Sequence, residues 1–509
     1  MNTWTSGYVA DIGYTYGYYT ELNPLRIQLA FAQQGLAFPS VGTACELGFG
    51  QGLSANLHAA ASTVSWWGTD FNPGQASFAR TLAAASGSGA ELFDESFAEF
   101  CARTDLPDFD YIGLHGIWSW ISDENRSVIV DFVRRKLRVG GVLYISYNTL
   151  PGWAAFAPMR HLMTEHAEVL GSEGRGIVSR IDGAMDFAEK LLATNPLFSR
   201  ANPLVGDRLA KMKEHNRHYL AHEYFNRDWH PMHFATMANW LEPAKVQYAC
   251  SANYLDLVEV INLTAEQQAF LSEIPDPMFR QTTRDFMVNQ QFRKDYWVKG
   301  ARKLSVVEQL EAIRKIRVVL VTPRADIPLK VTGALGEATL NELVYGSVLD
   351  LLADHKVRKI EEIEKSIKEK ISLSQVIQAM TVLSGAGHLS AVQEDSPKAT
   401  KSSIAINHYL TDKSRGSNDV NFLASPLTGG GIAVNRFQQL FLHALGNGKK
   451  QPADWAKFTW DLLAEQGQKL IKEGRALETA EENLSELTEQ AKNFSEKNLP
   501  IFKALQLVS

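Results

Sequence analysis

Residues 44–52, ACELGFGQG, continue an apolar run that begins at Val41 and pass straight into LSANLHAAAS. Gly48, Gly50 and Gly52 alternate with larger residues, so the backbone there can turn sharply and come close to a ligand with no Cβ in the way. The run before them reads as a strand and the run after them as a helix, whose N-terminus offers unpaired N–H groups. A second apolar strand, Val64 to Thr69, ends on Asp70. That spacing suits a carboxylate accepting hydrogen bonds from ribose hydroxyls. The stretch predicts a site for a nucleoside cofactor.

A dinucleotide would require G-x-G-x-x-G, so that the backbone meets a pyrophosphate. Here the loop is GFGQG, with Glu46 just ahead of it. An acid beside a pyrophosphate is repelled, whereas a cationic cofactor tolerates it. S-adenosylmethionine carries an ammonium and a sulfonium and has no phosphate, so the charge pattern favours it. The competing structural reading has Glu46 closing the strand and Asp70 capping a helix through Asn72–Pro73.

Further along, DFDYIGL (108–114) reads as a strand followed by HGIWSWI (115–121). SDENRSVIVDFVRRKLRVGG reads as an amphipathic helix closed by Gly140–Gly141, and VLYISYN as the next strand before TLPGW. Strands alternating with helices across short glycine turns predict an α/β fold with a doubly wound parallel sheet. Ligands of such sheets sit beyond the carboxyl ends of the strands, where Glu46, Asp70, His115 and Tyr147 fall.

The 509 residues, 45% hydrophobic, suffice for two to four packed domains. A net charge of −6 argues against general nucleic-acid binding. The three cysteines, Cys45, Cys101 and Cys250, lack the spacing of a zinc site or disulfide scaffold. No secretion signal and no apolar run long enough to span a membrane is evident, which predicts a cytoplasmic setting.

The chain resembles the class I S-adenosylmethionine-dependent methyltransferases. More narrowly, it is similar to the bacterial group with a methyltransferase regulatory domain, which includes rickettsial lysine methyltransferases of outer-membrane protein B. The matching blocks are ELGFGQG (46–52), GTDFNP (68–73), FDYIGLHGIWSWI (109–121), GGVLYISYNTLPGW (140–153), YLAHEYFNRDWHPMHF (219–234), DFMVNQQFRKDYWVKG (285–300) and LASPLTGGGIAVNRFQQLFL (423–442). The HGIWSW and SYNTLPGW blocks are far more specific than the glycine loop.

The resemblance implies a Rossmann-like seven-stranded core and a protein acceptor, such as an outer-membrane protein before export. It also implies that helices inserted at 154–220 help form the substrate site and a dimer contact; monomer and homodimer both remain open. Glu46, Gly48, Phe49, Gly50, Gly52, Asp70, Phe71, Asn72, Ser96, Phe97, His115 and Gly116 are then expected around the cofactor. Ser96 departs from the family, many members of which carry an acid there. That leaves the adenine contact to Ser96 and Phe97, or to Asp94 or Glu95. Tyr16, Trp118, Tyr147, Asn148 and His222 are the residues expected to orient an acceptor amine.

The expected organisation is a core with an N-terminal tyrosine-rich lid (1–153), a helical insertion (154–220), the remainder of the core (221–303), a winged-helix-like unit (304–395) and a helical C-terminal domain (396–509). Tyr8, Tyr14, Tyr16, Tyr18 and Tyr19 either close over the cofactor or pack on the core edge. His215, His218 and His222 share a helical face, but without an accompanying zinc motif they read as a polar face with His222–Glu223 hydrogen bonding inside the fold, not as metal ligands. Ile360, Ile363, Ile367 and Ile371 form one apolar stripe, and the helix from Ser372 to Leu383 contains no Lys or Arg, which points to protein contact over DNA. QEDSPKATKSS reads as a polar linker, and AEENLSELTEQAKNFSEKN as a solvated helix. Three functions stay open on these residues: a protein lysine methyltransferase, a methyltransferase for a small molecule or cell-surface glycan, and a cofactor-binding protein without turnover.

Overall fold

The computed structural model describes residue 8 and residues 13–172, 174 and 176–508. Seven strands form its main sheet: β1 (Thr43–Leu47), β2 (Ser65–Thr69), β3 (Glu91–Phe93), β4 (Phe109–Leu114), β5 (Leu137–Asn148), β6 (Val246–Ser251) and β7 (Phe292–Lys299). Their order is β3-β2-β1-β4-β5-β7-β6, and only β7 runs antiparallel to its neighbours. β1 is buried from Ala44 to Leu47, as a central strand covered on both faces must be. From β1 the chain winds outward through β2 and β3, then returns to β4 on the other side. The crevice at the carboxyl end of β1 lies at this reversal.

Five helices accompany the first half: α1 (Arg26–Gln33), α2 (Leu53–Ala61), α3 (Pro73–Ser86), α4 (Phe97–Ala102) and α5 (Asp123–Lys136). Each of α3, α4 and α5 begins on a side-chain cap, from Asn72, Ser96 and Ser122. α5 stops at Lys136, short of the glycine pair expected to close it. Gly140 and Gly141 instead lie in β5, beside a register shift between Phe109 and Tyr111 of β4. A Cβ on Gly141 would stand 2.9 Å from the Arg138 carbonyl and 3.1 Å from that of Asp110, so the pair serves a bulge and not a cap.

Beyond β5 come α6 (Leu150–Trp153), α7 (Ala157–Val169), α8 (Gly176–Ala193), α9 (Leu197–Ala201), α10 (Leu204–Glu214) and α11 (Arg217–Tyr224). They share a core of their own, built on Met159, Met163, Ile181, Met185, Leu209, Met212 and Leu220. α12 (Phe234–Leu241) then leads into β6.

In the next region, strand Arg317–Leu320 pairs with both Arg358–Lys359 and Leu389–Ala391, beneath helices Glu342–Leu352, Ile360–Ile367 and Leu373–Gly385. The isoleucine stripe is buried. The strand after the third helix, Leu389–Ala391, pairs with the strand that arrives from upstream, so three helices pack on a small three-stranded sheet. This region's apolar residues run continuously into those of the main sheet and α1.

The C-terminal region packs helices Pro397–Lys413, Arg436–Gly446, Pro452–Glu465 and Ala480–Asn493 with the hairpin Phe422–Ser425/Gly430–Ala433. The stretch read as a linker is largely helix: Ser402 and Ser403 are buried, and the Ser403 hydroxyl donates to the Ala60 carbonyl of α2. The helix read as solvated buries Asn483, Leu487 and Ala491. Every residue of α2 is consequently buried, between the sheet and this region, which its small and apolar side chains permit. Among the described residues no helix is long and apolar enough to cross a membrane.

Candidate active site at the carboxyl edge of the sheet

The chain leaves β1 through Gly48, Gly50 and Gly52, with φ of 73°, 59° and 69°. Such angles disfavour any residue with a Cβ. The three glycines face different surroundings. A Cβ on Gly52 would lie 2.5 Å from the Ala79 Cβ, so this glycine permits α2 to approach α3. A Cβ on Gly48 would press on Ile117, whereas at Gly50 the nearest atom is on Tyr14, at 3.6 Å.

Asp70 follows β2 and binds the loop. Its Oδ2 accepts from Gly50 N–H at 2.8 Å and its Oδ1 from Asn72 N–H at 3.0 Å. Burial pushes its carboxyl up to about 7, against the pull of these two donors. Burial, with the Asp70 charge added, pushes Glu46 up to about 8, and Glu46 Oε2 is buried without a hydrogen-bond partner. Neither acid forms an ion pair among the described residues. Two neighbouring buried carboxyls and an orphaned oxygen are strongly unfavourable unless a cation or donor meets them.

Both acids open into a cavity of about 460 Å³. Its walls are Tyr8, Tyr14 and Tyr19, the glycine loop from Gly48 to Gln51, Phe71, Ser96, Phe97, His115–Ile117, Trp120 and, at the rim, Glu124, Arg227 and Asp228. His115 stacks on Tyr19 with ring centroids 3.6 Å apart, and its Nδ1 lies 2.7 Å from the Tyr144 hydroxyl. Burial pushes it down to about 3, so it is a neutral wall at physiological pH.

Ten of the expected cofactor residues therefore meet at one cavity: Glu46, Gly48, Phe49, Gly50, Asp70, Phe71, Ser96, Phe97, His115 and Gly116. Gly52 and Asn72 stand outside its walls. Gly52 serves helix packing, and Asn72 accepts from Gly74 N–H at 3.0 Å to cap α3. The Ser96 hydroxyl is already engaged, donating to Glu99 Oε2 at 2.7 Å in a capping box. Glu95 is paired with Arg103 at 2.7 Å.

None of the five residues expected beside the acceptor borders this cavity. Tyr16 packs edge-on against Phe78, facing the C-terminal region. Trp118 is fully buried, its Nε1 donating to Met232 Sδ at 3.4 Å. Tyr147 donates to Asp295 Oδ2 at 2.8 Å, inside a buried cluster with Arg293 and Asp285. Asn148 is also buried, its backbone N–H donating to Ser119 Oγ at 2.8 Å. His222 lies behind the rings of Tyr8 and Tyr14, at 5.4 and 4.9 Å. The 3-10 turn Trp118–Trp120 directs its first indole into the core and its last to the cavity.

His215, His218 and His222 diverge: the first packs on Tyr219 and the second lies against the Gly13 carbonyl. Among the described residues no His/Cys/Asp/Glu group has the geometry of a metal site. Tyr8, Tyr14 and Tyr19 line the cavity, while Tyr18 sits between His58 and Phe422 and Tyr16 on Phe78, so the tyrosine-rich segment is divided between cavity wall and core edge. Trp120, which the sequence offers with Trp118 as a pocket wall, does line the cavity, whereas Arg227 and Asp228 were not singled out from the sequence and Glu223 only as part of the YLAHEYFN block and a partner of His222.

Residues 216–299 match a family model described as "Predicted methyltransferase regulatory domain". That span includes β6 and β7, so it is an integral part of the sheet. Over 511 aligned residues the chain is 43% identical to the uncharacterized protein sll1526 of Synechocystis, with 99% of each chain covered. It is 25% identical over 224 residues to the uncharacterized protein RP789 of Rickettsia prowazekii, covering 43% of this chain and 40% of that one. Among solved structures it is similar to PKMT2 from Rickettsia typhi in complex with AdoHcy, with a TM-score of 0.69, 16% sequence identity, and 96% of this chain and 99% of that chain covered. The sheet order, glycine loop and acidic strand ends are those of the class I methyltransferase fold. The chain belongs to the family of the Synechocystis protein, with the methyltransferase regulatory domain built into its core.

Proposed function

We propose that this protein is an S-adenosylmethionine-dependent methyltransferase whose acceptor is a lysine side chain of a protein. The observation that carries the reading is the pair Glu46 and Asp70, buried at adjacent strand ends of an aromatic-walled cavity, neither of them in an ion pair among the described residues. When bound, S-adenosylmethionine supplies a methyl carbon activated by a sulfonium. Glu46 suits its ammonium, Asp70 its ribose hydroxyls, and Tyr8, Tyr14 and Tyr19 present faces that attract cations. The same enclosure excludes water from the methyl group.

A lysine must be neutral to attack, which from a pKa of roughly 10.4 costs about 4–5 kcal/mol at pH 7. Burial beside a sulfonium lowers that cost, since desolvation and like charge both disfavour the ammonium. At the rim Arg227 offsets Asp228, and Glu124 leaves the entrance mildly acidic, which suits approach by a cation. The protein acceptor rests on the family likeness in the HGIWSW and SYNTLPGW blocks.

The test is incubation with methyl-labelled S-adenosylmethionine and a cell lysate. Label is expected in protein bands and, after hydrolysis, in methylated lysine. Label confined to lipid, glycan or small-molecule fractions overturns the lysine acceptor; no transfer to any fraction, with the donor bound, favours a protein without turnover.

The raised carboxyls also give a pH dependence. The native protein holds protons on Glu46 and Asp70 that the unfolded chain has released above the ordinary carboxylate range. Its unfolding free energy therefore falls as pH rises from that range to about 8. A cationic donor binds the ionised acids, so its affinity is expected to rise from pH 6 to 8 by at least about tenfold, the change that Asp70 alone contributes. Calorimetry across this range, with Glu46→Gln showing a flatter profile, checks the assignment.

A further inference from the structure

One carboxyl beside the cavity has no part in holding the donor. Glu223, in the last turn of α11, receives the Tyr14 hydroxyl at Oε1, 3.3 Å away. Tyr14 lines the cavity, and Tyr19, its hydrogen-bond neighbour, lines it too. Trp120 Nε1 donates to the Glu223 carbonyl at 3.2 Å and fixes the end of α11 to the same wall. Tyr8 lies within the field of both Asp70 and Glu223, which places Glu223 on the lid side of the cavity, apart from the donor's acids. The nearby guanidinium of Arg227 pairs with Asp228, at 3.0 Å, and leaves Glu223 to the tyrosines.

We propose that Glu223 takes up the proton of the methyl-accepting amine through the Tyr14 hydroxyl, Tyr14 being the group that touches the amine and Glu223 its positioning residue. This rests on the donor reading above. The alkylammonium passes a proton to the Tyr14 oxygen as the Tyr14 proton moves to Glu223 Oε1; tyrosine is regenerated neutral and Glu223 becomes a carboxylic acid. The freed nitrogen pair then forms the N–CH₃ bond while the S–CH₃ bond breaks, leaving a thioether and a methylated ammonium, and Glu223 returns its proton to solvent. Burial, opposed by the Tyr14 hydrogen bond, sets the Glu223 carboxyl at about 7, suited to taking and releasing a proton near neutrality.

The test compares two ligands on the full chain by titration calorimetry. Both are analogues of S-adenosylhomocysteine with nitrogen in place of sulfur, one bearing a propyl arm on that nitrogen and the other an aminopropyl arm, which sets an amine at the acceptor position; S-adenosylhomocysteine itself is the control for donor-site binding. The wild type is expected to bind the aminopropyl ligand at least about tenfold more tightly than the propyl one. It should also release additional protons, read from the buffer dependence of the enthalpy. The other ionisable groups facing Glu223 are Tyr8, Tyr14 and Tyr19 near the N-terminus, Tyr219 and Tyr224 of its own helix, and Asp70 and Glu46 across the cavity; comparing the two ligands cancels the last two. Glu223→Gln and Tyr14→Phe should each lose both the tightening and the extra proton release while still binding S-adenosylhomocysteine. Retention of both effects in Glu223→Gln overturns the proposal. If S-adenosylhomocysteine does not bind the wild type, the donor reading itself falls, and this proposal with it.

Discussion

Replacing Asp70 with alanine is expected to weaken S-adenosylmethionine binding by roughly 100-fold, about 2.7 kcal/mol. Asp70 accepts from the backbone of Gly50 and Asn72, and so fastens the glycine loop to the end of β2. Hydrogen bonds to a charged group contribute about 1.5–3 kcal/mol each, and the variant loses the acceptor of ribose hydroxyls as well. Opposing this, alanine removes a buried carboxyl whose pKa already stands at about 7, so part of the loss is returned as relief of desolvation. Asp70→Asn retains one acceptor oxygen for Asn72 N–H and should fall between the two. Titration calorimetry at pH 8, where the wild-type acid is ionised, measures all three proteins. Unchanged affinity in Asp70→Ala would remove the donor from this edge of the sheet.

That prediction was available from the sequence because its parts are local. Glycine loop, helix and acidic strand end lie within 27 residues, from Ala44 to Asp70, and a strand followed by a helix admits little variation in geometry. The acceptor side was not legible in the same way. Whether Trp118 or Trp120 faces the cavity depends on a single 3-10 turn. Whether Tyr147 points inward depends on strand parity, which reverses with each residue. On α11, one position separates His222 from Glu223, which is about 100° of helix. Glu223 acquires its partner from Tyr14, 209 residues earlier, a pairing that no local pattern encodes. Polar composition misled in the C-terminal region for a related reason. Ser403 reads as linker but meets the carbonyl of Ala60, on a helix wholly enclosed by the fold.

Trp118→Ala is expected to act on folding, although the sequence alone placed Trp118 beside the acceptor. Its indole is fully buried, in T-shaped contact with Trp240 at 6.0 Å and with the Arg126 guanidinium 5.8 Å above it. Removing a buried Trp side chain costs about 3–5 kcal/mol, including the cavity left behind. Arg126, itself buried, would keep its hydrogen bonds to the Trp118 carbonyl but lose one of its two aromatic neighbours, and it cannot discard its charge. The melting temperature should therefore fall by roughly 5–10 °C. Trp120→Ala makes the contrast. That side chain is also buried, but it lines the cavity, so its loss removes packing on the wall side together with one hydrogen bond, to the Glu223 carbonyl, worth about 1 kcal/mol. It should lower the melting temperature less than Trp118→Ala does, because part of its indole already borders the cavity, and reduce methyl transfer to protein by more than about tenfold. Thermal unfolding and labelled methyl transfer, measured on both variants below the lower melting temperature, separate the roles. A stable but inactive Trp118→Ala, paired with an unstable Trp120→Ala, would require the turn to face the opposite way.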